Sequence, residues 1–460
     1  MPREPEPAGH AIPEPLDPTP RPRGSYERWR WQIFAVTWLA YAGFYLTRKS
    51  FAVAKIGIQQ DPLLRLTDAQ MAWIDGAYLV AYAAGQFLFG IAGDRAGTRK
   101  VVSTGLFVSV LAAVAMGAST WTVMLGLFFL IQGLCQSSGW APLTKNMSAF
   151  FSRRERGTVM GLWCTNYALG GLLASMVAGL AGDRWGWRYA FFVPAAGLTA
   201  VWVLFLLFQR NRPEDVGLPP IEQYHGEVRG GAAGASAAAA EEPGGSWRAI
   251  LEVLTNPMVL LLAAVYFLLK PARYAILFWG PKYIHARLGS GMTESGLLSG
   301  LFELAGPAAA LAGGYLSDRV FGTRRVPVCV ICLVLLGVLL IAFNHFPVGR
   351  WALGISFFVI GMLLFAPDSL VVGASAVDFG TRQGASTAAG IINGMGSVGA
   401  VFGGVLPGFF NERWGWSGVF GLLGAMTLLA GLILLPRWNA LPTERKPPPP
   451  PGGFPVAGRT

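Results

Sequence analysis

The sequence has 460 residues, of which 53% are hydrophobic and only 13% are charged, and its formal net charge is +11. Soluble domains carry about 25% charged residues, so this composition excludes an ordinary soluble protein and favours a membrane protein. A positive charge is also compatible with nucleic-acid binding. Here, however, the basic residues fall in short stretches between long apolar runs, which is typical of loops between membrane spans.

Apolar runs long enough to cross a bilayer recur along the chain. A membrane helix needs about 20 mostly apolar residues. The first six runs cover 31–52, 71–93, 101–119, 121–145, 158–181 and 188–209, and the second six cover 254–279, 293–316, 327–344, 350–372, 385–408 and 417–436. We therefore predict an all-α membrane protein with about twelve transmembrane helices in two pseudo-symmetric six-helix bundles.

The stretches outside these runs are rich in proline, glycine and alanine. Residues 447–451 are five prolines, and 229–246 read RGGAAGASAAAAEEPGGS, a composition typical of flexible linkers. No cleavable signal peptide opens the chain, so the first run is expected to stay in place as an anchor. We predict a disordered tail over 1–27, bundles over 28–210 and 251–438, a linker over 211–250, and a second disordered tail over 439–460.

Lysine and arginine are unevenly distributed between the two sets of loops. Positively charged loops remain on the cytoplasmic side of a membrane, and an even number of spans places both termini on one side. We therefore predict a multi-pass protein of the cell (inner) membrane with both termini and the linker in the cytoplasm. The loops of the richer side contain Arg95, Arg99, Lys100, Arg153, Arg154, Arg156, Arg319, Arg324 and Arg325.

Two segments of the first half return in the second. GIAGDRAGTRK (90–100) returns as GYLSDRVFGTRR (314–325), and DRWGW (183–187) returns as ERWGW (412–416). Transporters built from repeats commonly bind their substrate between them, at the membrane midplane. The first segment resembles the signature loop of the major facilitator superfamily. We expect it to latch the halves in one conformation, the alternative being a loop that only determines topology. The latch residues would be Gly90, Asp94, Arg95, Gly314, Asp318 and Arg319.

Charged residues interrupt the first and the seventh apolar runs. Arg48 and Lys49 lie in the first, and Arg273 lies in the seventh. A charge within the bilayer costs at least roughly 2.5–3.5 kcal/mol, so it needs a cavity, a partner or a function. Arg48 precedes Gly90 by 42 residues, and Arg273 precedes Gly314 by 41. The two arginines therefore occupy the same point of the two repeats.

We expect this arginine pair to face one central cavity and to bind a tetrahedral anion. Guanidinium groups stay charged and match phosphate oxygens with paired donors. Pro271, beside Arg273, predicts a broken or kinked helix. Two alternatives stay open: Arg48 extends to the outer surface, or the arginines form structural ion pairs. The acidic residues at membrane depth that would form such pairs are Asp75, Glu303 and Asp368.

Aromatic residues accompany these charges. Tyr41, Tyr45 and Arg48 are spaced by four and three residues, so they share one helix face. Aromatic hydroxyl groups suit a sugar or glycerol moiety beside a phosphate, and packing against lipid is the alternative. The further aromatic candidates are Tyr82, Trp140, Trp163, Tyr167 and Tyr274.

Six segments are similar to the organophosphate:phosphate antiporter family of the major facilitator superfamily. They are YLTRKSF (45–51), SSGWAP (137–142), RPEDVGLPPIEQY (212–224), ARYAILFWGPKY (272–283), FELAG (302–306) and APDSLVVGASAVDFG (366–380). The resemblance implies the major facilitator fold and exchange of a phosphorylated sugar or glycerol for inorganic phosphate by alternating access. It also implies that the arginine pair binds phosphate, together with Tyr41, Tyr45, Tyr82, Trp140 and Trp163.

Two positions depart from the glycerol-phosphate members of that family. Gln86 stands where they carry a lysine, and Tyr167 stands where they carry a histidine. Both changes make the cavity less positive or less titratable, and Lys145 and Lys270 are the lysines that could restore the charge. The segment ILFWGPKYI (276–284) also resembles animal sugar-phosphate exchangers.

Two other functions remain open at this point. One is a transporter-like sensor of sugar phosphate. The other is a proton-coupled transporter of another small solute, which needs a titrating carboxylate such as Glu303 or Asp368. The sequence contains no nucleophile–base set and no zinc-binding set of cysteines, so we predict no enzyme, no metal and no cofactor. The expected partners are an organophosphate, inorganic phosphate and lipid, without nucleic acid, and the expected state is a monomer.

Overall fold

The computed structural model describes residues 23–152, 155–224, 255–322, 324–345, 349–371 and 385–440. Most of both predicted tails, residues 225–250 of the predicted linker and residues 372–380 of the last family segment lie outside these ranges. Within them, every regular element is a helix.

The N-terminal half contains six spans. The first is α1 (Arg23–Arg48) followed by α2 (Ser50–Gln60), with an interruption at Lys49 alone. The next five are α3 (Asp68–Ala96), α4 (Thr98–Ala118), α5 (Thr122–Gln136) with α6 (Trp140–Phe150), α7 (Arg156–Trp163) with α8 (Thr165–Trp185), and α9 (Tyr189–Phe208). Thr67 caps α3 reciprocally with Gln70, which explains where the second span begins.

The C-terminal half follows a short helix, α10 (Ile221–Tyr224), and is built in the same way. Its helices are α11 (Pro257–Leu288), α12 (Met292–Tyr315), α13 (Arg325–Ala342), α14 (Arg350–Ser369) and α15 (Ala385–Leu434). A π-helical turn, Leu316–Val320, extends α12. The element α15 contains two helices, because Gly415 has a φ of 65° and bends the chain there.

The number of spans agrees with the sequence prediction. By length and hydropathy, nine helical stretches of the described residues can cross a membrane, and one of them, Gly390–Arg437, contains the Gly415 bend and therefore two spans. The first span and α3 are not among the nine, and both bury charged side chains. The described ranges thus contain twelve spans, and the prediction of an all-α membrane fold is confirmed.

Two local features differ from expectation. Of the broken or kinked helix expected near Pro271, the break is not found, because α11 runs without interruption through both Pro271 and Pro281. Part of the predicted linker is ordered: a 3₁₀ turn (Pro213–Val216) and α10 follow α9, and the ring of Tyr224 stacks on Tyr26 with centroids 4.0 Å apart. The beginning of the linker is therefore packed against the start of α1.

The two halves meet through α3 with α15, α8 with α12, and α2 with α11. Asp68, at the start of α3, accepts hydrogen bonds from Lys282 and, at 2.6 Å, from Asn411. Near the end of α8, Asp183 accepts a 2.7 Å hydrogen bond from the backbone N–H of Thr293. These contacts join the halves at the end of the molecule that carries the start of α3, which we call the closed end.

Candidate functional site

A cavity of about 590 Å³ lies between the two halves, lined by residues of both. Ten of the fourteen predicted substrate-binding residues line it, so the spacing of the repeats correctly placed the two arginines in one space. The ten are Tyr41, Tyr45, Arg48, Tyr82, Gln86, Trp140, Tyr167, Arg273, Tyr274 and Asp368.

Arg48 is the last residue of α1 and is only 6% exposed. Its Nε donates a 3.0 Å hydrogen bond to Oε1 of Gln136, at the end of α5. Gln136 is itself held by the Tyr78 hydroxyl, which donates at 2.8 Å, and by its own donation to the Thr47 hydroxyl at 3.0 Å. Within the described ranges Arg48 has no carboxylate partner, and its Nη2 is buried without a hydrogen bond.

Arg273, in α11, has a different environment. Its Nη1 lies 2.8 Å from Oδ2 of Asp368, in α14. The Nζ atom of Lys270, one helical turn earlier, lies 2.9 Å from the other oxygen of the same carboxylate. The alternative of a structural ion pair therefore applies to Arg273 but not to Arg48. The alternative in which Arg48 extends to the outer surface is not observed.

Aromatic rings cover the guanidinium groups and support one another. The Arg48 guanidinium carbon lies 4.5 Å from the ring centroid of Tyr45 and 4.9 Å from that of Tyr82, distances at which cation–π attraction is favourable. Tyr41 packs edge-on against Trp140, with centroids 5.5 Å apart. Among the residues that the structure describes, the N-terminal wall thus holds its cation with neutral groups.

Two of the remaining predicted residues connect the halves behind the cavity. Lys49 and Glu303 are buried, with Nζ and Oε2 3.3 Å apart, and Lys49 also donates a 3.1 Å hydrogen bond to the carbonyl of Leu277. These contacts run between the N-terminal and C-terminal halves. Glu303 therefore forms an ion pair with Lys49, and Asp368 forms ion pairs with Lys270 and Arg273. Both carboxylates considered for proton coupling are thus ion-paired.

The other two predicted residues also lie away from the cavity surface. Trp163 is fully buried, donates a 3.1 Å hydrogen bond to the Thr37 hydroxyl and packs 5.5 Å from the ring of Tyr41. It supports Tyr41 from behind. Lys145 is exposed on α6 and is not among the residues that line the cavity.

The sequence prediction missed several polar groups of the site. Gln136 and the ion pair between Lys55 and Asp75 were not recognised; the latter two side chains are fully buried. Lys55 also donates a 3.0 Å hydrogen bond to the carbonyl of Phe278 in the other half. A charged residue two helical turns after Arg48 in an apolar run was the available signal for Lys55. Lys270, which the sequence suggested as a source of the missing charge, lines the cavity. The unpredicted cavity-lining residues with polar side chains are Cys164, Tyr266, Ser369, Asn393 and Ser397.

The repeated loop motif lies at the end of the molecule opposite the closed end. Asp318 pairs with Arg325 of its own half, and Arg95 and Arg319 are exposed. A Cβ atom added to Gly90 or to Gly314 would meet no described atom within 4 Å, so neither glycine lies in a close helix contact in this conformation. The side chain of Asp94 lies outside the described part of the chain.

The charges on the cavity wall give it a net formal charge of +2 among the described residues, from Arg48, Lys270, Arg273 and Asp368. Lys270 supplies the third cation that Gln86 does not provide. A wall with this excess of positive charge, with guanidinium and phenol donors, can bind a multiply charged oxyanion and an attached hydroxylated group.

A family model, described as Major Facilitator Superfamily, matches residues 37–385, which is most of the chain. This chain belongs to the Major Facilitator Superfamily. A solved structure titled as a bacterial homolog of the human lysosomal transporter Spinster, inward-facing and occupied, aligns with a TM-score of 0.71 over 92% of this chain and 99% of that chain. At 15% sequence identity, this likeness supports the fold alone.

Relatives with full-length similarity place the chain in the organophosphate:phosphate antiporter family of this superfamily. A probable hexose phosphate transport protein of Chlamydia muridarum is 32% identical over 425 residues, which is 90% of this chain and 92% of that protein. The membrane sensor protein UhpC of Salmonella typhimurium is 31% identical over 422 residues, which is 90% of this chain and 93% of that protein. The family resemblance seen in the sequence is therefore confirmed.

Proposed function

We propose that this chain is a secondary active transporter that exchanges a phosphorylated sugar or glycerol for inorganic phosphate. The observation that carries the proposal is the presence of Arg48 and Arg273, from equivalent points of two repeats, on the wall of one net-positive cavity. The similarity to a hexose phosphate transport protein supports the same substrate class. No covalent step is involved, and both anions cross the membrane unchanged.

Transport requires that the cavity open to the two sides of the membrane in turn. The halves are joined behind the cavity by Lys49 with Glu303 and at the closed end by Lys282 with Asp68. In the proposed cycle these contacts break, the halves rotate, and the ends that carry the repeated loop motif approach each other. A bound anion favours the exchange because it neutralises the cations of both walls while they move.

The experiment is counterflow in proteoliposomes. Vesicles containing the purified protein are loaded with labelled inorganic phosphate, and a hexose phosphate or glycerol phosphate is added outside. We expect release of label that depends on the external organophosphate and is absent from protein-free vesicles. Release of label that no organophosphate accelerates would contradict the proposal.

A sensor is the second candidate, because the relative named membrane sensor protein UhpC is nearly as similar to this chain as the transport protein. Such a sensor would bind the sugar phosphate in the same cavity and signal without net transport. Binding measured on the solubilised protein, together with absent counterflow, would favour it over the exchanger.

We also propose that the chain acts as a monomer in the cell (inner) membrane, with both termini and the linker in the cytoplasm. The basic loops support this orientation. A periplasm-only reporter inserted between residues 229 and 246 should be inactive, and an active reporter would reverse the orientation.

A further inference from the structure

We propose that the two walls of the cavity bind different parts of the substrate: Arg48 binds the phosphoryl group, and Asp368 makes the C-terminal wall the site for hydroxyl groups. The inference rests on the proposed function. It narrows the substrate class to phosphate monoesters with several hydroxyl groups, and it assigns Asp368 as a residue that determines specificity.

The first step is the inequivalence of the two arginines. In each half the arginine of the first span bonds a side chain of the fourth span, Gln136 for Arg48 and Asp368 for Arg273. The two bonds are alike in length, 3.0 and 2.8 Å. The partner is a neutral amide in one half and a carboxylate in the other.

The second step concerns the charge that remains for a ligand. Asp368 is 9% exposed and lies between Lys270 and Arg273, so one of the two positive charges of the C-terminal wall is already balanced. A phosphate dianion placed there would face a carboxylate at short range, and like charges repel most strongly where little water screens them. The N-terminal wall has no such carboxylate among its described residues.

The third step is the unpartnered donor of Arg48. Its Nη2 is buried and has no hydrogen-bond partner in the described structure. Buried charged donors rarely lack a partner, and a phosphoryl oxygen is the acceptor that a guanidinium matches best. Tyr45 and Tyr82 flank the same group and line the cavity, so phenol hydroxyl groups are available beside it.

The fourth step is the composition of the opposite wall. Ser369, Asn393 and Ser397 line the cavity on the same side as Asp368. The two serine hydroxyls donate to the carbonyls of Ala366 and Asn393, at 2.9 and 3.0 Å, which leaves their oxygens as acceptors. Acceptors beside an ionised carboxylate suit the O–H donors of a polyol.

The test is a comparison of two ligands, inorganic phosphate and a hexose phosphate, that bind to the purified protein and its Asp368→Asn variant. Removing the carboxylate charge should tighten the binding of inorganic phosphate and weaken the hydrogen bonds to the sugar. We expect the ratio of the hexose phosphate Kd to the phosphate Kd to rise about tenfold, the size of one hydrogen bond to a charged group.

Other results would overturn the assignment. If the affinities for phosphate and for the hexose phosphate change by the same factor, Asp368 is only a counter-ion. If neither affinity changes, Asp368 does not face the ligand. Asp318→Asn, which removes a carboxylate far from the cavity wall, is the control and should leave the ratio unchanged. Failure of the parental protein to bind either ligand would contradict the proposed function instead.

A second measurement needs no variant and applies even if Asp368→Asn does not fold. Hexose phosphates that each lack one hydroxyl group are compared on the parental protein. At least one of them should bind about tenfold more weakly than the parent sugar phosphate. Equal binding of the whole series would overturn the hydroxyl site.

Discussion

Arg48 and Arg273 occupy the same point of two repeated halves, and the comparison of their surroundings separates what duplication preserved from what it changed. Each guanidinium bonds a side chain from the fourth span of its own half. The partner is Gln136, which accepts from Nε, in the first half, and Asp368, which accepts from Nη1, in the second. One arginine therefore keeps an available charge and a free donor, and the other is paired with a carboxylate before any substrate binds.

The largest effect on phosphate affinity is expected when Arg48 is given a carboxylate partner, as Arg273 has in the second half. Gln136→Glu places a carboxylate beside Arg48 and should remove it from phosphate binding. Two hydrogen bonds to a charged group are worth about 3–6 kcal/mol together, so phosphate affinity should fall about 100-fold or more. Titration calorimetry of the solubilised variant measures this loss.

The matched control is Gln132→Glu, one helical turn earlier in α5. Gln132 is fully buried and its side-chain amide has no partner in the described structure, so a carboxylate there carries the same burial cost without contacting Arg48. We expect it to lower stability with little effect on phosphate affinity. Equal losses of affinity in both variants would mean that the burial of an acid in α5, rather than its contact with Arg48, causes the loss.

The next effect distinguishes the two arginines directly. Lysine keeps the charge but loses the planar, bidentate donor group. Arg48→Lys should weaken phosphate binding at least about tenfold, the equivalent of 1.4 kcal/mol. Arg273→Lys should weaken phosphate binding only about threefold, because the Arg273 guanidinium is already ion-paired with Asp368. A larger loss at Arg273 than at Arg48 would reverse the comparison.

A smaller effect is expected at the closed end. A Cβ atom on Gly179 would lie 2.6 Å from the backbone Cα of Thr293, so Gly179→Ala should push α8 away from α12. Overpacking costs about 1–3 kcal/mol. This is enough to raise severalfold the fraction of molecules whose halves are separated at the closed end. Distances between spin labels on the closed ends of α8 and α12 measure it. Gly161→Ala, whose Cβ would meet no described atom within 4 Å, is the control and should leave the distances unchanged.

The smallest effect concerns the repeated loop motif. Asp318 pairs with Arg325 within its own half and is half exposed, far from the cavity wall. Exposed pairs contribute about 0–1 kcal/mol, so Asp318→Asn should slow exchange by no more than about fivefold. The Kd for phosphate should stay within about twofold. A different result would contradict this: if Asp318→Asn abolished phosphate binding in most of the protein, while the protein that still bound phosphate exchanged it at the normal rate, the loop motif would belong to the binding site.

The comparison also separates what the sequence could predict from what it could not. The matching distances from Arg48 to Gly90 and from Arg273 to Gly314 placed both arginines in one cavity, because a repeat with constant spacing keeps equivalent residues in equivalent positions. Which acid would pair with which base did not follow from spacing. Asp75, Glu303 and Asp368 were equal candidates, and the structure pairs them with Lys55, Lys49, and Lys270 with Arg273, respectively.

Helix geometry explains one of the misplaced candidates. Lys145 follows Trp140 by five residues, about 140° around α6, so the two side chains cannot both face the cavity. Trp140 lines it and Lys145 is exposed. The uninterrupted course of α11 through Pro271 was not predictable in the same way, because proline is tolerated in membrane helices when neighbouring helices compensate for the lost hydrogen bond.

The most direct measurement of the central claim is the position of a bound tetrahedral oxyanion. Arsenate resembles phosphate and scatters X-rays anomalously, so a difference map of arsenate-soaked crystals locates it without ambiguity. The account predicts a peak within hydrogen-bonding distance of the Arg48 guanidinium, with Asp368 still paired with Arg273 and Lys270. A peak on Arg273 with Asp368 displaced, or one shared equally by the two arginines, would contradict it.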